Sequence, residues 1–258
     1  MENKVYNKIF AIPDIHGEIS LLDKALELMD EQGLNENTDL VIFLGDMIDR
    51  GVDSYGVVEL IKMLCTTKPH CYKTLAGNHE DFMIDAIVKK RPHAQENWDY
   101  NGGIQTMDSY YRAGFSSVPQ SHLEFIAKLP TSLEFQGFFF SHAPQSDEKH
   151  RMRFRSAHIS LAGQQYTRHD LTWNYMDRQC DVPGGYFDNH TGPMNDCGKG
   201  KEHLIGICGH MHRGPDVDCV RIHPKYRLLD CGTGCWPNAN LAIHECIENK
   251  TWYVNNNE

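Results

Sequence analysis

The chain has 258 residues, 40% of them hydrophobic, enough to bury a sizeable core as one α/β or sandwich domain without disulfide or metal staples. Its 25 Lys and Arg against 35 Asp and Glu leave a formal charge of −10, which disfavours passive binding to nucleic acid or to an anionic membrane. Apolar runs such as Leu40–Leu44 fall far short of the ~18–20 residues a membrane span needs. Met1–Ala11 lacks the basic, apolar-core pattern of a leader. Nine scattered Cys with no CxxC pair suit a reducing, cytoplasmic setting better than a disulfide framework. An acidic protein that handles anions must attract them locally, and bound cations are one way to do so.

Along the chain, Lys8–Pro13 reads as a short strand ending at Asp14, and Ile19–Met29 places Leu22, Ala25, Leu26 and Met29 at helical spacing. Leu40–Leu44 is a second strand, ending at Gly45-Asp46, with Val57, Val58, Ile61 and Leu64 on the helix after it. Cys71–Ala76 is a third, ending at Gly77-Asn78, with a helix-like Asp81–Lys90 behind it. Asp14 and Asp46 are 32 residues apart, as are Asp46 and Asn78, an interval that suits one βαβ step. Three polar residues therefore sit just past the carboxyl ends of three consecutive strands, where open α/β sheets carry their sites. The second half reads as short strands with little helix: Gly137–Ser141, Leu204–Cys208, Cys219–His223, Arg227–Asp230, Leu241–His244 and Thr251–Val254. Pro144–Glu202 is polar and irregular, and a loop that long inside a domain is usually functional or disordered. The expected architecture is two packed sheets with helices outside, in one domain over 1–258 with a substrate-side insertion at about 144–203.

Four strings carry chemistry: Asp14-Ile15-His16-Gly17, Gly45-Asp46-Met47-Ile48-Asp49-Arg50-Gly51, Gly77-Asn78-His79-Glu80 and Gly209-His210-Met211-His212. Ser141-His142-Ala143 is a weaker fifth. Carboxylate, imidazole and amide oxygen without thiolate form a ligand set for hard or borderline divalent metals. An aspartate between two ligand sets can bridge two metals, and a two-metal site is a clamp for phosphoryl transfer to water. Read singly, an aspartate after a strand is a turn or helix cap, and Asp49-Arg50 is a surface pair worth little. The ordered set is what carries the reading. The Cys231 and Cys235 pair reads as buried packing, since no second pair supplies zinc spacing.

In order and spacing these strings resemble the calcineurin-like metallophosphoesterases of the phosphoprotein-phosphatase type. The resemblance is greatest to the bacterial and phage branch with lambda phage phosphatase and the symmetrical diadenosine tetraphosphatases. It extends to Asn101-Gly102-Gly103, Thr106, Ser109-Tyr110, Leu123–Pro130 and Leu229-Asp230-Cys231-Gly232. The resemblance implies a four-layer α/β/β/α sandwich of two mixed sheets and a dinuclear centre. Asp14 and His16 would hold the first metal, Asp46 would bridge, and Asn78, His142 and His210 would hold the second. Arg50 would grip phosphate oxygens with its planar fork. His79 would protonate the leaving oxygen with Asp49 orienting its ring, and a metal-bridging hydroxide would attack phosphorus in line. Two divalent ions are implied, manganese first, with iron, zinc or cobalt as alternatives.

Three positions depart from the family pattern: Pro13 stands where Gly is usual, Pro144 follows His142-Ala143, and Tyr175 stands where a Trp-x-Arg would place its phosphate-binding Arg. Arg178, three residues on, is the candidate replacement. Gly-His-x-His at Gly209–His212 follows the wider metallophosphoesterases and makes His212 a candidate ligand of the first metal. The expected substrate is a phosphoserine or phosphothreonine protein. Small phosphorylated compounds such as diadenosine tetraphosphate are the alternative. A nucleic-acid phosphodiesterase or an inactive binding module ranks below both.

Overall fold

In the computed structural model the described residues are 4–143, 204–212, 219–224 and 226–256. Two five-stranded sheets are built from ten strands, β1 Ile9–Ile12, β2 Leu40–Phe43, β3 Tyr72–Thr74, β4 Ser132–Phe135, β5 Phe138–Ser141, β6 Ile205–Cys208, β7 Arg221–His223, β8 Tyr226–Leu228, β9 Leu241–Glu245 and β10 Lys250–Val254. The first sheet has the order β10-β9-β1-β2-β3 and the second β4-β5-β6-β8-β7. Both are mixed. Strands β1, β2 and β3 run parallel, as do β5, β6 and β8, while β9, β10, β4 and β7 pair antiparallel.

The continuous apolar character of β1 and β2 follows from burial on both faces. Side chains alternate along a strand, so Phe10, Ile12, Val41 and Phe43 pack with Leu22, Ala25, Val57, Val58 and Ile61 of the covering helices. Ile9, Ala11, Leu40, Ile42 and Leu44 turn the other way, onto Phe138, Phe140 and Ile207 of the second sheet. Each large side chain so buried is worth about 1.5–3 kcal/mol. The helices are α1 Ile19–Glu31 and α2 Ser54–Thr67, which lie against the first sheet, then α3 Asn78–Met83, α4 Ala94–Trp98, α5 Ile104–Arg112 and α6 Gln120–Ala127. Wide π-helical turns at Ile84–Val88 and Asp99–Gly103 follow α3 and α4. The two mixed sheets flanked by helices are the expected sandwich.

The differences from the sequence reading are local. Helix α3 begins at Asn78, three residues before the expected Asp81, so Asn78, His79 and Glu80 form its first turn. Glu80 causes this: its carboxylate reaches back to accept from Gly77 N at 2.7 Å and closes the helix start. Cys231 pairs with Cys219 in a disulfide rather than simply packing. The insertion at 144–203, with Arg178 and Tyr175, lies outside the described residues. Among those described, no helix is long and apolar enough to cross a membrane.

Candidate metal centre

Every strand that ends in a chemical string delivers it to the same edge. Asp14 and His16 follow β1, Asp46 to Arg50 follow β2, Asn78 and His79 follow β3, His142 follows β5, and His210 follows β6. The turns that aim these side chains are strained. Of nine non-glycine residues with positive φ among those described, five are His16, Asp46, Asp49, Arg50 and His210. Left-handed backbone costs an ordinary residue free energy, so it concentrates where the surroundings enforce it. Here the enforcement is backbone pairing: Ile15 N and His16 N both donate to Asp46 O, and Gly51 N donates to His16 O. Glu80, fully buried, accepts from Asp46 N and Met47 N at 2.9 Å each and so anchors that turn to α3. Gly77 is required by closeness, because a Cβ there would lie 2.0 Å from Asp46 Oδ1.

Asp46 sits at the middle. Its Oδ2 is 3.6 Å from His16 Nε2, 3.9 Å from His79 Nε2 and 3.3 Å from His142 Nε2. Among the described residues, two sets of three donors could each hold a metal ion: His16, Asp46 and His79, and Asp46, His142 and His210, with the ligand atoms of each set within 4.8 Å of one another. Asp46 belongs to both. His16 Nδ1 donates to Ile48 O at 2.8 Å and His142 Nδ1 to Leu44 O at 3.0 Å. Those backbone anchors fix the rings so that Nε2 is the atom presented to the centre, as metal-ligating histidines require. Asn78 Oδ1 is 2.9 Å and His210 Nδ1 3.0 Å from His142 Nε2.

Asp14 is placed differently from His16. Its Oδ2 accepts from His210 N at 2.9 Å, so it ties the β1 loop to the β6 loop and lies outside the first donor set. His212 lies outside both sets; it is exposed, with its ring edge-on to Trp236 at 6.2 Å. His79 Nδ1 donates to Asp49 Oδ2 at 2.7 Å, and both are buried. Arg50 lies across the opening, with Nη1 2.8 Å from His16 Nε2 and Nη2 3.1 Å from His79 Nε2.

The electrostatics suit cations. Burial pushes the Asp14 pKa up against the pull of His142, and burial reinforced by the Asp14 charge holds that of Asp230 well above the carboxylate range. Burial also lifts Glu80 to about 7, with the Asp46 charge adding to it. Burial opposes charge on His142, yet the Asp46 and Asp14 carboxylates outweigh it and raise that imidazole to about 10. Several carboxylates packed together out of water need positive partners. Oxygen and imidazole donors around them fit divalent ions. Cys235 does not compete: burial raises its thiol to about 11, so it stays protonated, accepting from Arg50 Nη1.

Three residues at the site had no assigned role in the sequence reading. Trp98 carried no signal; Thr106 and Asp230 were visible only inside strings of family resemblance. Only the structure shows Trp98 buried, where its indole N–H needs an acceptor.

A family profile described as calcineurin-like phosphoesterase matches residues 7–214. Serine/threonine-protein phosphatase 1 of Salmonella typhimurium is 33% identical over 136 residues, 52% of this chain and 56% of that protein. A symmetrical bis(5'-nucleosyl)-tetraphosphatase of Legionella pneumophila is 36% identical over 83 residues, 32% of this chain and 28% of that protein. The chain thus spans about half, or less, of the length of these curated relatives. Among solved structures, a protein serine/threonine phosphatase from Saccharomyces cerevisiae superposes with a TM-score of 0.58 at 17% identity, covering 98% of this chain and 80% of that one. That likeness establishes the fold.

Proposed function

The chain belongs to the calcineurin-like phosphoesterase family, and we propose that it hydrolyses phosphate monoesters as a metal-dependent phosphoserine/phosphothreonine protein phosphatase. The observation that carries the proposal is the position of Asp46 in two donor sets at once. Asp14 and His16 would hold the first ion, Asp46 would be shared by both, and Asn78, His142 and His210 would hold the second. His212 is a further candidate on the first ion. When bound, divalent ions there would supply Lewis acidity to the phosphoryl oxygens and lower the pKa of a bound water.

The chain's own groups do the rest. Arg50 offers two N–H groups in one plane to two phosphate oxygens, a geometry Lys cannot match. His79 Nε2, 3.1 Å from that guanidinium, would face the departing serine or threonine oxygen; the doubly protonated ring gives that oxygen its Nε2 proton, is left as the neutral Nδ1–H form, and takes the next proton from water. Asp49 holds the His79 ring by Nδ1 and stabilises its positive form. Neither a Cys nor a Ser nucleophile is needed.

A second reading, hydrolysis of dinucleoside polyphosphates, draws on the 36% identity to the Legionella tetraphosphatase. The two are separated by a substrate panel at fixed manganese: phosphoserine and phosphothreonine peptides, diadenosine tetraphosphate, a cyclic nucleotide and an aryl phosphate. The proposal expects the highest kcat/KM on a phosphopeptide. Preference for the tetraphosphate by an order of magnitude would replace it with the second reading.

A further inference from the structure

The carboxylate of Asp49 is held by more than its partner histidine. Trp98 Nε1 lies 3.0 Å from Oδ1 and 3.1 Å from Oδ2, and Thr106 Oγ1 lies 2.6 Å from Oδ1. Asp49 N donates back to Thr106 Oγ1 at 2.9 Å. Ser54 Oγ stands 3.1 Å from the same hydroxyl, and the shorter contact to a carboxylate oxygen makes Asp49 the acceptor of its hydrogen. Trp98 and Thr106 are both completely buried. Neither touches a candidate metal donor in these contacts; both act on the one group that touches His79 Nδ1.

The backbone around them is built for the same contact. Asp49 and Arg50 both have left-handed φ, 72° and 68°, in a turn that needs outside support. The segment from α4 to α5 supplies it. Gly102, at φ 112°, approaches so closely that a Cβ would stand 2.6 Å from Arg50 N. Gly103 packs closely against the indole, where a Cβ would meet Trp98 Cδ2 at 2.6 Å. The wide turn Asp99–Gly103 is what lets Trp98 and Thr106, eight residues apart, reach one carboxylate from two sides. π-Turns of this kind gather at functional sites.

We propose that Trp98 and Thr106 are positioning residues that clamp the Asp49 carboxylate and so fix the tautomer of His79. With Oδ1 filled by Thr106 and the indole N–H spanning both oxygens, Oδ2 is left to face His79 and accepts its Nδ1–H. A neutral imidazole carries one ring proton, and the nitrogen with the fixed acceptor keeps it. His79 Nε2 is thereby kept as the atom that takes a proton from water and gives it to the leaving oxygen, the ring returning each time to its Nδ1–H form. Without the clamp the carboxylate can rotate, and part of the population carries the wrong tautomer, with Nδ1 bare. This rests on the proposed role of His79.

The test uses Trp98→Phe, Thr106→Val and Thr106→Ser in the full chain, with His79→Asn alongside. In metal-free protein, ¹⁵N shifts of the His79 ring should show one Nδ1–H tautomer in wild type and in Thr106→Ser, and a mixture in Trp98→Phe and Thr106→Val. With manganese restored, kcat on a phosphopeptide should fall on the order of 10–100-fold in the last two while KM holds. The loss should shrink on aryl phosphates, and Thr106→Ser should stay near wild type. A single Nδ1–H tautomer in both Trp98→Phe and Thr106→Val, with equal losses for good and poor leaving groups, would overturn the clamp and leave these residues as packing. If His79→Asn itself shows no leaving-group dependence, the role of His79 fails instead, and the ring shifts still decide whether the clamp exists.

Discussion

His79 Nδ1 lies 2.7 Å from Asp49 Oδ2, with less than a few per cent of either side chain reaching solvent. In the proposed mechanism, such a pair leaves the outward nitrogen of the imidazole to meet substrate. Replacing His79 by Asn keeps approximate size and removes the transferable proton. We expect kcat on phosphoserine peptides to fall by ~10²–10⁴-fold with metal content intact. On aryl phosphates of low leaving-group pKa the deficit should largely vanish. An equal deficit on both substrates would assign His79 another task, and the donor set it shares with His16 and Asp46 makes metal ligation the first alternative.

Gly77→Ala tests the placement of Asp46 without touching any donor atom. The added Cβ would stand 2.0 Å from Asp46 Oδ1 and 2.5 Å from its backbone N. Something must shift, and overpacking of this sort costs about 1–3 kcal/mol. Calorimetric manganese titration should show weaker binding at both sites, together with a lower melting temperature. Wild-type affinity at both sites would mean that the position of Asp46 is not critical to either ion.

His212→Ala tests the added ligand proposed for the first ion. Under that proposal, the variant releases one ion at lower chelator concentration than wild type and keeps the other. The ring lies edge-on to Trp236 at 6.2 Å, so ligation requires it to leave that contact. Quenching of Trp236 should therefore change as the first ion is removed from wild type. Identical chelator curves for variant and wild type would place His212 outside the site.

His244 gives a pH prediction remote from the centre. Burial, with Arg227 nearby, lowers its pKa from 6.5 to about 3, and Nδ1 is 2.9 Å from Thr251 Oγ1. The folded chain keeps it neutral, whereas the unfolded chain protonates it below its ordinary pKa. Its contribution to stability is complete above that value and is lost as pH falls toward the folded pKa. From about pH 7.5 to pH 5 the loss from this one group comes to about 2 kcal/mol. His244→Gln does not titrate, so urea melts should show a shallower fall in stability over that range. Parallel curves would show that His244 protonates without unfolding.

Much of the fold was legible because β1 and β2 are buried on both faces and so read as unbroken apolar runs such as Leu40–Phe43. The donors were legible because each sits just past such a run. Helix α5 was not, and the reason is physical: its buried positions include Thr106, Ser109 and Tyr110, polar residues committed to Asp49, Asp53 and His122, which break the hydrophobic period. Edge strand β4, Ser132–Phe135, is only half-buried and gave equally little pattern. Trp98 was invisible for a related reason. Its value lies in one N–H directed at a carboxylate 49 residues away, a relationship that no local window contains.

The proposed position of Asp46 between two ions, both needed for turnover, can be checked in one experiment: strip the protein with chelator, dialyse it against graded manganese, and read bound metal per chain and hydrolysis of an aryl phosphate on the same samples. The expected result is negligible turnover in the stripped protein, two ions per chain at saturation, activity rising with the second ion, and Asp46→Asn unable to reach that stoichiometry. Full turnover by the metal-free chain, or by a chain holding a single ion, would contradict it.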